Sequence, residues 1–164
     1  MKKAFIAGIS GFAGSYLSEC LLEEGFKVLG TYLSEESLEI LPNKDKLTLY
    51  KLNLLDEKKT LEAIDREKPD YLFHLAALTS PKDSFNNPKE TFINNISAEI
   101  NILEAIKSSS IKTKVLVVSS AEIYGLVSSE NLPIDEQTPF FPINPYAVSK
   151  LAQDFLGLQY FLSH

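Results

Sequence analysis

The string Gly8-Ile9-Ser10-Gly11-Phe12-Ala13-Gly14 lies directly between a short apolar run, Ala4 to Ala7, and a helical pattern that begins at Phe12. No other feature constrains the chain as much. Glycines spaced G-x-x-G-x-x-G at a strand-to-helix turn let backbone come close to a bound group, because a Cβ would block the approach. Exposed amides at the helix N-terminus, together with the helix dipole, then stabilise negative charge. A dinucleotide pyrophosphate is the anion that suits such a cradle, so Gly8, Gly11, Phe12, Ala13 and Gly14 are expected to bind a dinucleotide cofactor.

The rest of the chain repeats the same rhythm. Apolar runs at Ala4 to Ala7, Val28 to Thr31, Leu47 to Leu52, Tyr71 to Leu75 and Val115 to Ser119 read as five strands. They are near-continuous rather than alternating, which predicts burial on both faces of a parallel sheet. Helices are expected at Phe12 to Glu24, Glu35 to Leu41, Glu57 to Lys68, Pro88 to Ser109 and Pro145 to Leu162, with Gly25 closing the first and Pro69-Asp70 stopping the third. Alternating strands and helices imply right-handed crossovers and a doubly wound parallel α/β sheet, in strand order 3-2-1-4-5.

Composition removes several function classes. The 164 residues, 45% hydrophobic, fit one domain. With 22 acidic against 16 basic residues and a net charge of -6, nucleic acid and anionic membranes are not expected partners. One cysteine, Cys20, and two histidines, His74 and His164, rule out a disulfide framework and a Cys- or His-rich metal cluster, so no metal is expected. Cys20 lies among Leu17, Leu21 and Leu22 and is expected in the core. There is no run of 18 apolar residues, and the start, Met1-Lys2-Lys3, leads into an apolar run too short for a signal-peptide core. A cytoplasmic location is expected.

Two further segments carry chemistry. Tyr146-Ala147-Val148-Ser149-Lys150 places Tyr and Lys four apart, on one helix face. The pair alone is a common accident. It gains meaning from Ser119-Ser120-Ala121-Glu122-Ile123-Tyr124-Gly125 at the C-terminal end of a predicted strand, where α/β sheets place ligands. An ammonium beside a phenol favours the phenolate, so a tyrosine so placed can exchange a proton with a substrate hydroxyl. Ser120 would hydrogen-bond the same oxygen, and Lys150 would also bind the ribose next to a nicotinamide.

With these motifs the chain resembles the extended short-chain dehydrogenase/reductase family, the nucleotide-sugar epimerases and dehydratases, along its whole length. The resemblance also rests on Asn53-Leu54-Leu55-Asp56, His74-Leu75-Ala76-Ala77, Asn95 and Asn144-Pro145-Tyr146. Within the family, Leu132-Pro133-Ile134-Asp135-Glu136 and Asn144 to Lys150 look most like the GDP-mannose 4,6-dehydratases and the GDP-4-keto-6-deoxymannose reductases. The resemblance implies a Rossmann-like domain that binds NAD or NADP. Tyr32, Asn53, Leu54, Leu75, Ala76, Ala77, Tyr146 and Lys150 would join the glycine string around the cofactor. It implies catalysis by Ser120, Tyr146 and Lys150, with Glu122 where dehydratases place the base for carbon 5. The reaction would be hydride transfer at carbon 4 of a GDP-hexose. The alternatives are a sugar-nucleotide 4-epimerase and a non-catalytic NAD(P)-sensing protein on the same fold; retention of Ser120, Tyr146 and Lys150 argues against the sensor.

The resemblance sets three more expectations. Family members continue into a substrate domain, so residues 1–164 are expected to be the cofactor-binding domain, truncated before that C-terminal part and inactive alone. A homodimer through the helices 88–109 and 145–162 is expected, since both are apolar around much of their girth. Leu33 and Ser34 stand where GDP-mannose dehydratases carry arginines for the 2′-phosphate, and Glu35 follows, so the choice between NAD and NADP stays open. His74 is expected to be a hydrogen-bonded structural residue and Asn95 an internal one.

Overall fold

The computed structural model describes residues 1–164. Five strands form one parallel sheet: β1 (Lys3–Ala7), β2 (Lys27–Tyr32), β3 (Thr48–Lys51), β4 (Tyr71–His74) and β5 (Lys114–Val117). Their order is β3-β2-β1-β4-β5, every neighbouring pair parallel, as expected from the sequence. The order reverses between β1 and β4, and that switch point opens a crevice at the C-terminal ends of the strands.

Alternation along β1 divides the core. Phe5 and Ala7 point toward a layer of helices built from α2 (Glu57–Glu67) and α5 (Ala98–Ser108), packing with Leu29, Leu72, Ile64 and Ile102. Ala4 and Ile6 point to the opposite face, where α1 (Phe12–Glu23) covers them with Leu21 alongside Ile9, Val28 and Leu41. The last helix, α6 (Pro145–Ser163), lies beside α5 and over β5 on the first face. One face therefore carries three helices and the other carries one.

Local chemistry sets the helix ends. Asp56 Oδ1 accepts from the Lys59 amide at 3.1 Å to start α2, and Lys68 in the left-handed region ends it before Pro69. Asn144 Oδ1 accepts from the Ala147 amide at 2.7 Å, and Pro145 opens α6 where its missing N–H costs nothing. Gly25 and Phe26 donate back to Leu22 and Leu21, closing α1 as expected.

The structure corrects several expectations. Burial on both faces holds for β1 and β2 but fails at β5, where Leu116 is 49% exposed, and at Val118 just after it, 37% exposed, because no helix lies over them on the α1 face. Glu35 to Leu41 contains only a 3-10 turn, Glu36–Leu38, since the segment is too short to repay helix nucleation. Pro88 to Ser109 is α4 (Pro88–Phe92), a π turn at Ile93–Ser97 and then α5. A short helix, α3 (Pro81–Asn86), capped by Ser80, was not anticipated. Cys20 is exposed, not in the core, because the buried stripe of α1 runs through Gly14, Ser18 and Leu21, and Cys20 falls nearly opposite it. No helix is long and apolar enough to cross a membrane.

Candidate active site

A cavity of about 610 Å³ occupies the crevice. Its walls include Gly8, Gly11, Phe12, Ala13 and Gly14, then Tyr32 at the end of β2, Asn53 and Leu54 after β3, and Leu75, Ala76 and Ala77 after β4. The cofactor-binding candidates of the glycine string and the three loops thus line one space, whereas Tyr146 and Lys150 lie outside its wall.

The floor is built to keep side chains out. Gly8 sits at φ +87, a conformation that L side chains rarely adopt, with a Cβ position only 3.0 Å from the Ala76 backbone. A Cβ on Gly14 would run into the Gly8 carbonyl and the Ile9 backbone. Thr31 ties the turn to β2, with Gly8 N donating to its Oγ1 at 3.1 Å and Ile9 N to its carbonyl at 3.0 Å. Half apolar, and floored by a helix N-terminus beside glycines that leave no room for a Cβ, the cradle suits a dinucleotide pyrophosphate.

The second-strand end is hydroxyl-rich. Ser10, Ser34 and Ser37 line the cavity, and Ser37 Oγ donates to the Ser34 carbonyl at 2.6 Å. Glu35 is drawn aside: it accepts from the Tyr32 hydroxyl at 3.2 Å and pairs with Lys51 at 3.3 Å. Asn53 Oδ1 accepts from the Leu55 amide at 3.0 Å, and Asn101 of α5 holds the Leu54 carbonyl at 2.8 Å.

Beside the cavity stand the candidate catalytic groups. Ser120 caps the 3-10 turn Ala121–Tyr124, its Oγ accepting from the Glu122 amide at 3.2 Å. Glu122 is exposed, and its Oε2 accepts from Asn144 Nδ2 at 2.8 Å, so it braces the residue that caps α6. Tyr146 and Lys150 are both buried in the first turns of α6, and the α6 N-terminus packs against the 3-10 turn of Ser120 and Glu122. The candidate residues thus sit on two elements in contact, the turn after β5 and α6.

Beneath it lies a buried polar network that sequence reasoning largely missed. Asn95, in the π turn, accepts from Leu78 N at 2.8 Å and donates to Ser149 Oγ at 2.9 Å, the internal role expected of it. Lys150 Nζ donates to Gln153 Oε1 at 2.8 Å, and Gln153 Nε2 reaches the Asn95 carbonyl at 2.9 Å and His74 Nε2 at 3.1 Å. Burial, reinforced by the Lys150 charge, pushes His74 down to about 4, so its ring is neutral near pH 7. Glu99 of α5 is 1% exposed, and neither of its carboxyl oxygens has a hydrogen-bond partner. Burial pushes it up to about 8, opposed by the nearby Gln153 amide and the Lys150 charge. The same burial lowers the Lys150 ammonium, opposed by Glu99 and Asp154. The one signal for Gln153 was its position one helical turn after Lys150; nothing in the sequence marked Glu99.

A glycine-floored crevice at the switch point of a parallel sheet, with Ser on the turn after β5 packed against the helix that carries Tyr and Lys, defines a Rossmann-like domain of the extended short-chain dehydrogenase type. The chain belongs to the GDP-mannose 4,6-dehydratase family: that family's profile, "GDP-mannose 4,6 dehydratase", matches residues 5–164. Among named relatives, the GDP-mannose 4,6-dehydratase of Yersinia enterocolitica is 31% identical, over 98% of this chain and 46% of its own length. The GDP-6-deoxy-D-mannose reductase of Pseudomonas aeruginosa is 33% identical, over 97% of this chain and 47% of its own. The UDP-glucose 4-epimerase of Thermus thermophilus, solved in complex with NAD, superposes with a TM-score of 0.86 at 28% identity, covering 98% of this chain and 51% of that one. The chain spans about half the length of the relatives it matches.

Proposed function

We propose that this chain is the NAD(P)-binding half of a nucleotide-sugar enzyme that works at carbon 4 of a GDP-hexose, as a 4,6-dehydratase or a 4-ketoreductase. The observation that carries the reading is the single cavity lined by the glycine string, Tyr32, Asn53-Leu54 and Leu75-Ala76-Ala77, with Tyr146 and Lys150 buried in the helix beside it. The dinucleotide, when bound, supplies hydride acceptance and donation. In this reading Phe12, Ala13 and Gly14 offer first-turn amides to the pyrophosphate, and Asn53 offers its free side-chain N–H groups to adenine. Lys150 holds ribose hydroxyls. Tyr146 exchanges a proton with the substrate hydroxyl at carbon 4, and Ser120 hydrogen-bonds the same oxygen. Glu122, exposed beside the α6 cap, is the candidate base for carbon 5 and would be needed only if elimination follows.

The lobe that holds the sugar nucleotide, a cytoplasmic location and a homodimer through Pro88–Ser108 and α6 complete the proposal. The exposure of Val148, Phe155, Leu158, Phe161 and Leu162 along α6 supports the last. A 4-epimerase is a second reading, favoured by the likeness to the Thermus thermophilus enzyme. Turnover with GDP-mannose tests the proposal in the full-length protein. A dehydratase yields the 4-keto-6-deoxy sugar with no net change in NAD(P)H, a reductase consumes NAD(P)H only with the keto sugar, and a 4-epimerase yields only the epimer. Tyr146→Phe is expected to lower kcat by roughly 10²–10⁴-fold with cofactor affinity nearly unchanged. Failure of the 164-residue chain to bind NADH or NADPH overturns the reading.

A further inference from the structure

Gln153 is fully buried, and its side chain is committed on both sides. Its partners leave one orientation of the amide. An ammonium can only donate, so the atom facing Lys150 Nζ at 2.8 Å must be the oxygen. A main-chain carbonyl can only accept, so the atom 2.9 Å from the Asn95 carbonyl must be the nitrogen. The second N–H of that nitrogen then meets His74 Nε2 at 3.1 Å, which must accept. His74 is therefore neutral with its proton on Nδ1, and that Nδ1 is buried without a partner. An orphaned buried donor is a cost. The imidazole carries it because the opposite tautomer would set two N–H groups against each other at Gln153.

Lys150 shows why the direction matters. Lys150 is 4% exposed, and Gln153 is the one hydrogen-bond acceptor of its ammonium in the chain. Glu99 and Asp154 act on it through charge, yet neither hydrogen-bonds to it. One of its three N–H groups is taken by Gln153, which leaves two for other acceptors.

We propose that Gln153 is a positioning residue: it holds the ammonium of Lys150 by one N–H so that the other two face ribose and Tyr146, with His74 and the Asn95 carbonyl fixing which way its amide points. The proposal rests on the reading of Lys150 as a cofactor-binding residue. It assigns no contact between Gln153 and either ligand.

The chain holds only two histidines, His74 and His164, so long-range ¹H–¹⁵N correlation of the imidazoles resolves the tautomer directly in the 164-residue protein. At pH 7 His74 is expected to carry its proton on Nδ1 with Nε2 bare; a protonated Nε2 overturns the bond direction and the proposal. NADH fluorescence titration supplies the second readout. Gln153→Leu is expected to weaken binding by roughly tenfold or more, the loss of one hydrogen bond to a charged group. Gln153→Glu keeps an acceptor for Lys150 and makes His74 the donor. Because the new carboxylate also faces the Asn95 carbonyl and Glu99, it is expected to recover only part of the affinity lost in Gln153→Leu while raising the His74 titration midpoint by more than one pH unit.

If Gln153→Leu does not fold, Gln153→Glu and the imidazole spectrum decide the matter. A Gln153→Glu variant that leaves the His74 midpoint unmoved overturns the proposal. Lys150→Met separates the two layers of inference. If it binds NADH as wild type does, the reading of Lys150 falls and the positioning role with it. If Lys150→Met loses affinity while Gln153→Leu keeps it, the Lys150 reading stands and the role of Gln153 is overturned.

Discussion

The two halves of the sheet are built differently. On the β1–β2 side, strands are closed on both faces, the glycine turn is pinned by Thr31, and the interior is apolar, with Phe5, Ile6, Val28 and Leu29 fully buried. On the β4–β5 side, one face of β5 is bare, and the layer under α6 is polar, holding His74, Asn95, Glu99, Lys150 and Gln153 within the protein. The first arrangement suits a rigid cradle whose only task is shape. The second carries buried titratable groups whose protonation depends on their surroundings, which is what proton transfer needs and what stability tolerates least.

The largest expected effect lies in the closed half. Gly14→Ala puts a methyl group into the Gly8 carbonyl and the Ile9 backbone. The turn must shift, and NADH affinity is expected to fall by about a hundredfold, the scale for an ångström of misplacement. Titration of NADH fluorescence measures it, and unchanged affinity would mean that this turn does not cradle the ligand. Next comes Leu29→Ala, expected to cost about 3 kcal/mol in urea unfolding, because a fully buried leucine between two packed layers leaves a cavity that neither can close.

The closed half was also the legible half. Its strands, their order and the glycine turn could be read from the sequence because each depends on local pattern: continuous apolar runs, a strand-to-helix junction and punctuating Gly and Pro. The open half was read through motif rather than pattern. Ser120, Tyr146 and Lys150 were singled out by motif, but Gln153 looked like one more polar residue on a long amphipathic helix. Its role depends on His74 and Asn95, 79 and 58 residues away in sequence. Glu99 reads as an ordinary surface acid in a helix, and only the packing of α6 on α5 buries it. Cys20 shows the converse error: apolar neighbours in sequence mark a buried face only where the buried stripe passes through them, and here that stripe is Gly14, Ser18 and Leu21, nearly opposite Cys20.

Glu99 gives the next prediction. In the fold its carboxyl is pushed up to about 8, with burial as the main cause, so between the ordinary carboxylate range and pH 8 the folded chain binds a proton that the unfolded chain has released. Stability from this group is full at low pH and is lost as pH rises through 8. His74 slopes the other way, losing stability as pH falls below its ordinary value toward about 4. Subtracting wild type from Glu99→Gln cancels the histidine. The variant is expected to gain on the order of 4 kcal/mol relative to wild type between pH 5 and pH 9, measured by urea unfolding at both. A pH-independent difference would mean that the Glu99 carboxyl is solvated in the folded chain.

The smallest effect is expected on the bare face. Leu116 pairs in register with Phe73 but is 49% exposed, so Leu116→Ala removes side-chain area that is already half in water. Halving the burial, with no cavity to form, reduces the expected cost to below about 1 kcal/mol, against about 3 for Leu29→Ala in the same assay. The pair isolates the difference between the halves because the chemical change is identical. Concentration sharpens it further. A monomer gives the same Leu116→Ala cost at 1 μM and 100 μM. If the cost instead rises toward that of Leu29→Ala as concentration increases, a second copy covers β5, and the self-association surface includes the sheet face as well as the helices. Light scattering on the same samples distinguishes that outcome, since the apparent mass must rise over the same range.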